Sequence, residues 1–274
     1  MRVEIKVLGP LQGSVDGTSI VPSARKQRQV LAMLAINTGQ VVTASALIEE
    51  IWGGRPPRLP LASLQTYILH LRRKVKNALA EGADRSSKDI LLTGPGGYTL
   101  DVPAGHIDTG QYEQLVASGR RAVSLGDYHS AARILGDALK LWRGRALVDV
   151  VVGPLLQIER TRLEESRLST LDLRIDADLR LGRHRLLLDE LAALCAKHPW
   201  FENFHAQYML ALHRSGLPWR ALEVYRRLHT SVGRHLGVDP SRQLRQLHQA
   251  ILSADPLVDD PRFVASDWQL RKGA

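Results

Sequence analysis

Residues 61–79 constrain the fold of this chain more than any other segment. The apolar residues Leu64, Ile68, Leu71 and Val75 recur every three or four positions. At about 100° per residue this spacing places them on one narrow face of a helix. The segment holds no acidic residue, although surface helices commonly mix both signs of charge. We therefore expect a helix that buries one apolar stripe and presents a polar, cationic face.

The residues before this helix predict a small sheet and two shorter helices. Residues 3–7 alternate apolar and charged side chains, the period of a half-buried strand, and turn residues follow. A helical pattern occupies residues 24–36, and Thr43 is expected to cap a second helix that ends at Trp52. The glycines and prolines of residues 53–58 predict a loop between the second and third helices.

A hairpin is predicted after the third helix. Residues 90–93 and 98–100 are short strand-like runs on either side of a Gly-Pro-Gly-Gly turn. A small sheet, three helices and a hairpin in this order predict an α+β winged helix-turn-helix domain, in which one helix enters the major groove and the hairpin forms the wing.

The chain after residue 108 reads as almost entirely helical. Gly126, Gly182 and Gly216 each follow a predicted helix, with small or apolar residues at similar offsets behind them. This weak repeat fits stacked helical hairpins of the tetratricopeptide kind, or equally a helical bundle with similar turns. Asp239 and Pro240 are expected to start the last helix. We expect a first domain at residues 1–104, a helical domain at 105–254 and a tail at 255–274.

The distribution of charge favours an anionic partner. The chain carries 37 Lys and Arg against 28 Asp and Glu, and residues 17–48 and 51–80 contain basic residues but no acid. Basic stretches without acids favour nucleic acid over a merely solvated surface. The single cysteine, Cys195, excludes an internal disulfide, and no apolar run of about 18 residues is present. With no apolar signal-peptide core at the N-terminus, these features predict a cytoplasmic protein.

Several long motifs resemble the Streptomyces antibiotic regulatory protein family, particularly its activators of daunorubicin-type anthracycline clusters. The first is SARKQRQVLAMLAINTGQVVTASALIEEIWGGRPPRLPLASLQTYILHLRRKV at residues 23–75. Four more, ALKLWRGRALVDV, RIDADLRLGRH, HAQYMLALHRSG and LGVDPSRQLRQLHQAIL, resemble the bacterial transcriptional activation domain of that family. The resemblance extends over about residues 3–254.

The resemblance implies a sequence-specific activator of an antibiotic biosynthetic gene cluster. Its fold would be an OmpR-type winged helix-turn-helix domain followed by an all-α, tetratricopeptide-like activation domain. Members of the family bind direct repeats near the promoter −35 region and recruit RNA polymerase holoenzyme through the σ factor and the α C-terminal domain. Two protomers would then lie side by side on double-stranded DNA, associated with the nucleoid when bound. No cofactor is expected.

The polar face of the third helix and the resemblance together give the expected contacts. Hydroxyl, imidazole and guanidinium groups can read base edges, and basic flanks can hold phosphates. Base reading is expected from Ser63, Thr66, Tyr67, His70 and Arg73. Phosphate binding is expected from Arg25, Lys26, Thr43, Arg72, Lys74 and Lys76. The resemblance also implies a wing at Thr93, Gly94, Gly96, Gly97 and Tyr98, without the arginine that OmpR-type wings often carry. A polymerase contact is expected from the loop residues Arg55, Pro56, Pro57 and Arg58.

Two other classes of function compete with DNA binding. An enzyme is not expected, because the sequence has no HExxH, GxSxG or phosphate-loop motif, and its scattered histidines lack the acids or cysteines of a metal site. The alternative is a protein-interaction adaptor built from the same two domains without specific DNA binding. The dependence of duplex binding on salt separates that adaptor from a DNA-binding activator.

Overall fold

A computed structural model describes residues 2–80, 85–260 and 263–264, beginning with the predicted small sheet. Strands β1 (Val3–Lys6), β2 (Gln12–Val15) and β3 (Thr18–Ser19) are antiparallel, in the order β1-β2-β3. Asp16 and Gly17 join β2 to β3 with positive φ angles of 46° and 86°. Two consecutive positive φ angles are what a type I′ hairpin turn requires, and Asp-Gly is a favoured pair there.

Three helices follow close to the predicted positions. They are α1 (Arg25–Ile36), α2 (Ala44–Trp52) and α3 (Pro60–Ala78). Thr43 caps α2 as expected, since its Oγ1 accepts a hydrogen bond from the backbone N–H of Ala46 at 3.2 Å. The predicted stripe of α3 is buried, because its four apolar side chains are each at most 4% exposed. The opposite face of α3 is therefore held outward.

The predicted hairpin belongs to a second three-stranded sheet. Strands β5 (Leu91–Gly94) and β6 (Gly97–Leu100) form the hairpin, and β4 (Val42–Thr43) pairs with the other edge of β6. A short helix, α4 (Ser87–Ile90), precedes β5. Strand β4 and helix α4 were not predicted, because a strand of two residues and a helix of four residues are too short to show a periodic pattern. Because β4 directly precedes α2 and pairs with β6, the start of α2 lies beside the wing.

The rest of the described chain is helical, as expected. Its helices are α5 (Asp108–Ser124), α6 (Tyr128–Lys140), α7 (Pro154–Arg180), α8 (Leu188–Lys197), α9 (Glu202–Arg214), α10 (Pro218–Leu236) and α11 (Arg242–Leu252). Gly126, Gly182 and Gly216 follow helices with φ near 73°, 72° and 80°. This left-handed conformation ends helices and suits glycine, which has no Cβ to clash.

The predicted start of the last helix was wrong. Helix α11 begins at Arg242, and Ser241 is its N-cap, with its hydroxyl accepting from the N–H of Leu244 at 3.4 Å. The backbone N–H of Ser241 donates to both carboxylate oxygens of Glu202 at 3.0 Å. Asp239-Pro240 and Ser241 are both good local start signals, and the contact with Glu202 favours the second.

The described chain divides into two compact units whose limits differ from the predicted domains. One unit contains residues up to 117 and residues 137–168, and the other contains residues 118–136 and those from 169 onward. The core of the first unit includes Leu147, Val150 and Leu156 together with the apolar side of α3. The domain boundary at residue 104 stays a prediction, and the core of the first compact unit includes residues on both sides of it.

The start of the predicted tail is packed in the second unit. Residues Pro256–Asp259 form a 3₁₀ turn, and Val258, Phe263 and Val264 are buried. The guanidinium of Arg214 donates to backbone carbonyls of this segment. Residues 261–262 and 265–274 of the predicted tail lie outside the described residues. Within the described residues, no helix is long and apolar enough to cross a membrane.

Candidate nucleic-acid interface

The outward face of α3 presents most of the predicted base-reading residues. Thr66, His70 and Arg73 are exposed, and Ser63 is half-buried beside them. The hydroxyl of Ser63 donates to the carbonyl of Leu59 at 3.1 Å, and the hydroxyl of Thr66 donates to that of Ala62 at 3.0 Å. These hydrogen bonds within the helix leave both hydroxyl oxygens free to accept.

His70 is held by a residue that the sequence did not single out. The side-chain amide nitrogen of Gln27, on α1, lies 2.8 Å from Nδ1 of His70. An amide nitrogen can only donate, so Nδ1 accepts and the ring proton of a neutral imidazole lies on Nε2. His70 therefore offers an N–H donor on its free side. Gln27 gave no signal in sequence because its partner is 43 residues away along the chain.

Tyr67 is turned partly into the protein. Its ring stacks on Trp52 of α2, with centroids 6.0 Å apart and planes 26° apart. The ammonium of Lys26 lies 5.1 Å from the centre of the Trp52 ring. This stack joins the first turn of α1, the end of α2 and the middle of α3. Tyr67 is half-buried, so only part of its side chain is available for the predicted base reading.

Arg72 joins α3 to the wing. Its Nε and one of its terminal nitrogens donate to the carbonyl of Leu91 at 3.0 and 2.6 Å, and the same terminal nitrogen reaches Oγ1 of Thr93 at 2.7 Å. The planar guanidinium suits several donor bonds in one fixed geometry. Arg72, predicted to bind phosphate, thus has three hydrogen bonds to strand β5.

The other predicted phosphate contacts fall into two groups. Arg25, Lys26, Thr43 and Lys76 are exposed, on or beside the first turns of α1 and α2 and the last turns of α3. Lys74 is half-buried and lines a cleft of about 580 Å³ beside the N-terminal sheet, together with the ion pair of Arg28 and Asp149. Among the described residues, Arg25, Arg73 and Lys76 have no ion-pair partner, which leaves their charge available to an anion.

The wing separates into an exposed tip and a buried base. Thr93 and Gly96 are exposed, Gly94 is half-buried, and Gly96 has a φ of 75° that suits the tight turn. Gly97 and Tyr98 are buried in β6, and a Cβ on Gly97 would come within 2.2 Å of the Val42 carbonyl oxygen. The two buried residues hold the sheet together, so any wing contact with DNA comes from the tip.

The predicted polymerase-contact loop is exposed to solvent. Arg55, Pro56, Pro57 and Arg58 are all exposed between α2 and α3. Gly53 ends α2 with a φ of 54°, and its N–H bonds to the carbonyl of Glu49 at 2.7 Å. The loop is thus anchored at the helix end and leaves both guanidinium groups accessible to a partner.

Glu50 connects α2 to the start of α7, a contact that the sequence did not reveal. The residue is 2% exposed, and its carboxylate accepts from the backbone N–H groups of Gly153, Leu155 and Leu156 at 2.5, 2.9 and 3.0 Å. These N–H groups lie at the start of α7, where a helix favours a negative charge. In sequence, Glu50 looks like a solvated residue of a surface helix.

The described residues contain no group of three or more His, Cys, Asp or Glu side chains arranged to hold a metal ion. Burial raises the pKa of the Cys195 thiol to about 12, which keeps it protonated and unreactive near neutral pH. The α3 face itself offers hydroxyl, imidazole and guanidinium groups.

Comparisons with known proteins agree with this arrangement. Residues 17–100 match the family described as "Transcriptional regulatory protein, C terminal", and residues 107–252 match the "Bacterial transcriptional activator domain". The chain is 48% identical over 257 residues to the regulatory protein DnrI of Streptomyces peucetius, covering 94% of each. It is 38% identical over 251 residues to the regulatory protein AfsR of Streptomyces coelicolor, covering 91% of this chain and 24% of AfsR.

A solved structure also resembles this chain. It is that of EmbR from Mycobacterium tuberculosis in complex with a low affinity phosphopeptide, with a TM-score of 0.87 and 33% sequence identity. The match covers 98% of this chain and 70% of that one.

Proposed function

Because the chain belongs to the Streptomyces antibiotic regulatory protein family, whose members are DNA-binding transcriptional regulators and not enzymes, we propose that it activates an antibiotic biosynthetic gene cluster. It binds direct repeats near the −35 region of the promoters of that cluster. Two protomers lie side by side on the repeats and recruit RNA polymerase holoenzyme. The protein works in the cytoplasm, on the nucleoid.

The outward face of α3 carries this proposal. It combines hydrogen-bonding groups in its middle with Arg73 and Lys76 toward its end, and α3 contains no acid. A face without negative charge lowers the electrostatic cost of approaching a duplex, and its short polar groups can reach base edges. Arg25 and Lys26 extend the same positive charge to the start of α1.

The proposed division of labour follows the contacts of each side chain. Ser63, Thr66 and His70 read bases, and Arg73, at the edge of that group, holds a phosphate. Arg25, Lys26, Lys76 and the cap of α2 at Thr43 hold phosphates. Arg72 and Tyr67 act mainly by positioning α3, because their polar or aromatic groups contact β5 and Trp52. Lys74 contributes charge from beside the N-terminal sheet.

The loop with Arg55 and Arg58 is the proposed contact with polymerase, through the σ factor or the α C-terminal domain. The exposure of the loop and of the side chains of Arg55 and Arg58 supports this role. The helical activation domain supplies the contact between neighbouring protomers. Direct repeats require a head-to-tail arrangement, in contrast to the two-fold arrangement that reads palindromes.

Binding of the full chain to promoter fragments from its own gene neighbourhood tests the proposal. We expect affinity to fall steeply between 50 and 200 mM salt, with a log-log slope of about −0.9 for each phosphate contact. Arg73→Ala should weaken binding to cognate and scrambled duplexes alike, whereas Arg185→Ala, an exposed arginine of the second unit, should not. Salt-insensitive binding, or none, would overturn the proposal and favour the protein-interaction adaptor.

A further inference from the structure

One large apolar side chain lies on the otherwise polar face of α3. Leu69 is 58% exposed in the middle of the helix. Two of its neighbours one helical turn away, Thr66 at i−3 and Arg73 at i+4, are exposed. The four apolar residues of the buried stripe are at most 4% exposed, so Leu69 is not part of the stripe that holds α3 to the core.

Helix formation alone does not account for leucine at this position. Leucine is a good helix former, but Arg, Lys, Gln and Ala serve as well at an exposed site without placing an apolar group in water. Single exposed leucines are common on protein surfaces. The position of Leu69 is more specific, because it lies between Thr66, which is proposed to read a base, and the exposed cation Arg73.

The major groove offers one apolar group to such a side chain. The base edges there present nitrogen and oxygen donors and acceptors, together with the C5-methyl group of thymine. An apolar side chain that enters the groove between polar ones therefore gains most by covering that methyl group. A cytosine at the same place would set an amino group near the leucine and leave it without a partner.

We propose that Leu69 reads the C5-methyl group of a thymine within each repeat and so determines specificity at that position. This inference rests on the proposed function, because it requires α3 to lie in the major groove. It adds apolar recognition to the hydrogen bonds of Thr66 and His70. It also makes the contact depend on a single methyl group, which can be removed from the DNA.

The test replaces thymine with deoxyuridine, which keeps every hydrogen-bonding group of thymine and lacks only the methyl. A duplex is first selected from a randomised pool with the full chain. Each thymine of that duplex is then changed to deoxyuridine in turn, and dissociation constants are measured for the wild-type chain and for Leu69→Ala. Leu125→Ala is the matched control, since Leu125 is 77% exposed and belongs to the second unit.

One deoxyuridine position per repeat should weaken the wild-type chain about fourfold, which corresponds to about 0.8 kcal/mol for one buried methyl group. Leu69→Ala should bind the thymine duplex about as weakly and show no further loss on that deoxyuridine duplex. Leu125→Ala should behave as the wild type does. Unchanged thermal midpoints would show that both exposed leucines are dispensable for folding.

Two results would contradict the inference while leaving the proposed function intact. In one, the wild-type chain selects a duplex but binds every deoxyuridine version equally well. In the other, Leu69→Ala retains the full deoxyuridine penalty at each position. If the full chain enriches no duplex at all, the proposed function fails and this inference fails with it.

Discussion

At the scale of single residues, the face of α3 is defined by which hydrogen-bonding groups remain available. The hydroxyl protons of Ser63 and Thr66 are bonded within the helix, so both oxygens present acceptors to the amino groups of adenine or cytosine. His70, with Nδ1 occupied by Gln27, presents a donor to purine N7 or guanine O6. The sequence placed these three residues on one face, but their donor and acceptor states depend on contacts that a helical period does not contain.

The contact between Gln27 and His70 predicts a change in base preference. In Gln27→Glu, a carboxylate replaces the amide donor and favours the tautomer of neutral His70 with its proton on Nδ1. Nε2 would then accept, and the preferred base edge should change from an acceptor to an amino group. Nitrogen-15 chemical shifts of the His70 ring at pH 8 report the tautomer, and duplex selection reports the base.

Gln27→Met serves as the control because it keeps the length of the side chain and removes its polar group. Selectivity at that base should fall without a new preference, by roughly the 0.5–1.5 kcal/mol of one hydrogen bond. If Gln27→Glu selects the same site as the wild-type chain, Gln27 does not set the donor state of His70.

At the scale of elements, Arg72 and Arg73 are neighbours in sequence with different surroundings. Arg72 has three hydrogen bonds to strand β5, whereas Arg73 is exposed with no ion-pair partner among the described residues. Both are basic residues in the same acid-free segment, so the sequence assigned DNA contacts to both. The partner of Arg72 lies 19 residues further along the chain, beyond any local pattern.

Replacing Arg72 by methionine should therefore change stability, and replacing Arg73 by methionine should change DNA binding. Arg72→Met removes the donors to a part-buried carbonyl, and we expect the free energy of unfolding to fall by about 1–3 kcal/mol. The salt slope of DNA binding should stay the same. Arg73→Met should leave stability unchanged and make the slope less negative by about 0.9. Urea unfolding and salt titrations measure the two effects, and a reduced slope for Arg72→Met would return Arg72 to phosphate binding.

The loop between α2 and α3 gives a prediction about activation. Arg55→Ala with Arg58→Ala should leave duplex affinity near that of the wild-type chain, because both side chains extend from a loop outside the α3 face. Transcription from the same promoter with purified polymerase should be lost. Gel-shift titrations and run-off transcripts on one template measure both. Parallel loss of binding and transcription would assign the loop to DNA.

Most elements could be predicted from local sequence, and the exceptions have a physical cause. Helices α1 to α3 and the hairpin have periods, caps and turn residues that identify them. Strand β4 is defined by its pairing with β6 rather than by its two residues. The start of α11 was misplaced because two adjacent cap signals compete, and the choice depends on Glu202, about 40 residues earlier. Local signals locate elements, and distant contacts fix their ends.

At the scale of the whole molecule, three carboxylates connect the predicted DNA-binding domain to residues beyond 104. Glu50 accepts from three N–H groups at the start of α7. Asp108 accepts from the N–H groups of Val7 and Leu8 at 2.8 and 3.0 Å, and Asp149 accepts from Leu11 at 2.7 Å. All of these residues belong to the first compact unit. Asp108 and Asp149 thus accept from backbone groups of the predicted DNA-binding domain, and Glu50 of that domain accepts from backbone groups beyond residue 104.

Glu50 supplies the sharpest test of this coupling. Glu50→Gln removes the charge that faces the start of α7 and turns an amide group toward backbone donors, so we expect a loss of about 2–4 kcal/mol in the free energy of unfolding. Glu49→Gln, its exposed neighbour on α2, should cost almost nothing. Urea unfolding of the full chain measures both. A fragment ending at residue 104 leaves Glu50 without its three donors and should not unfold cooperatively. If Glu50→Gln matches Glu49→Gln in stability and the fragment unfolds cooperatively, the DNA-binding domain is an independent folding unit and these carboxylates do not stabilise it.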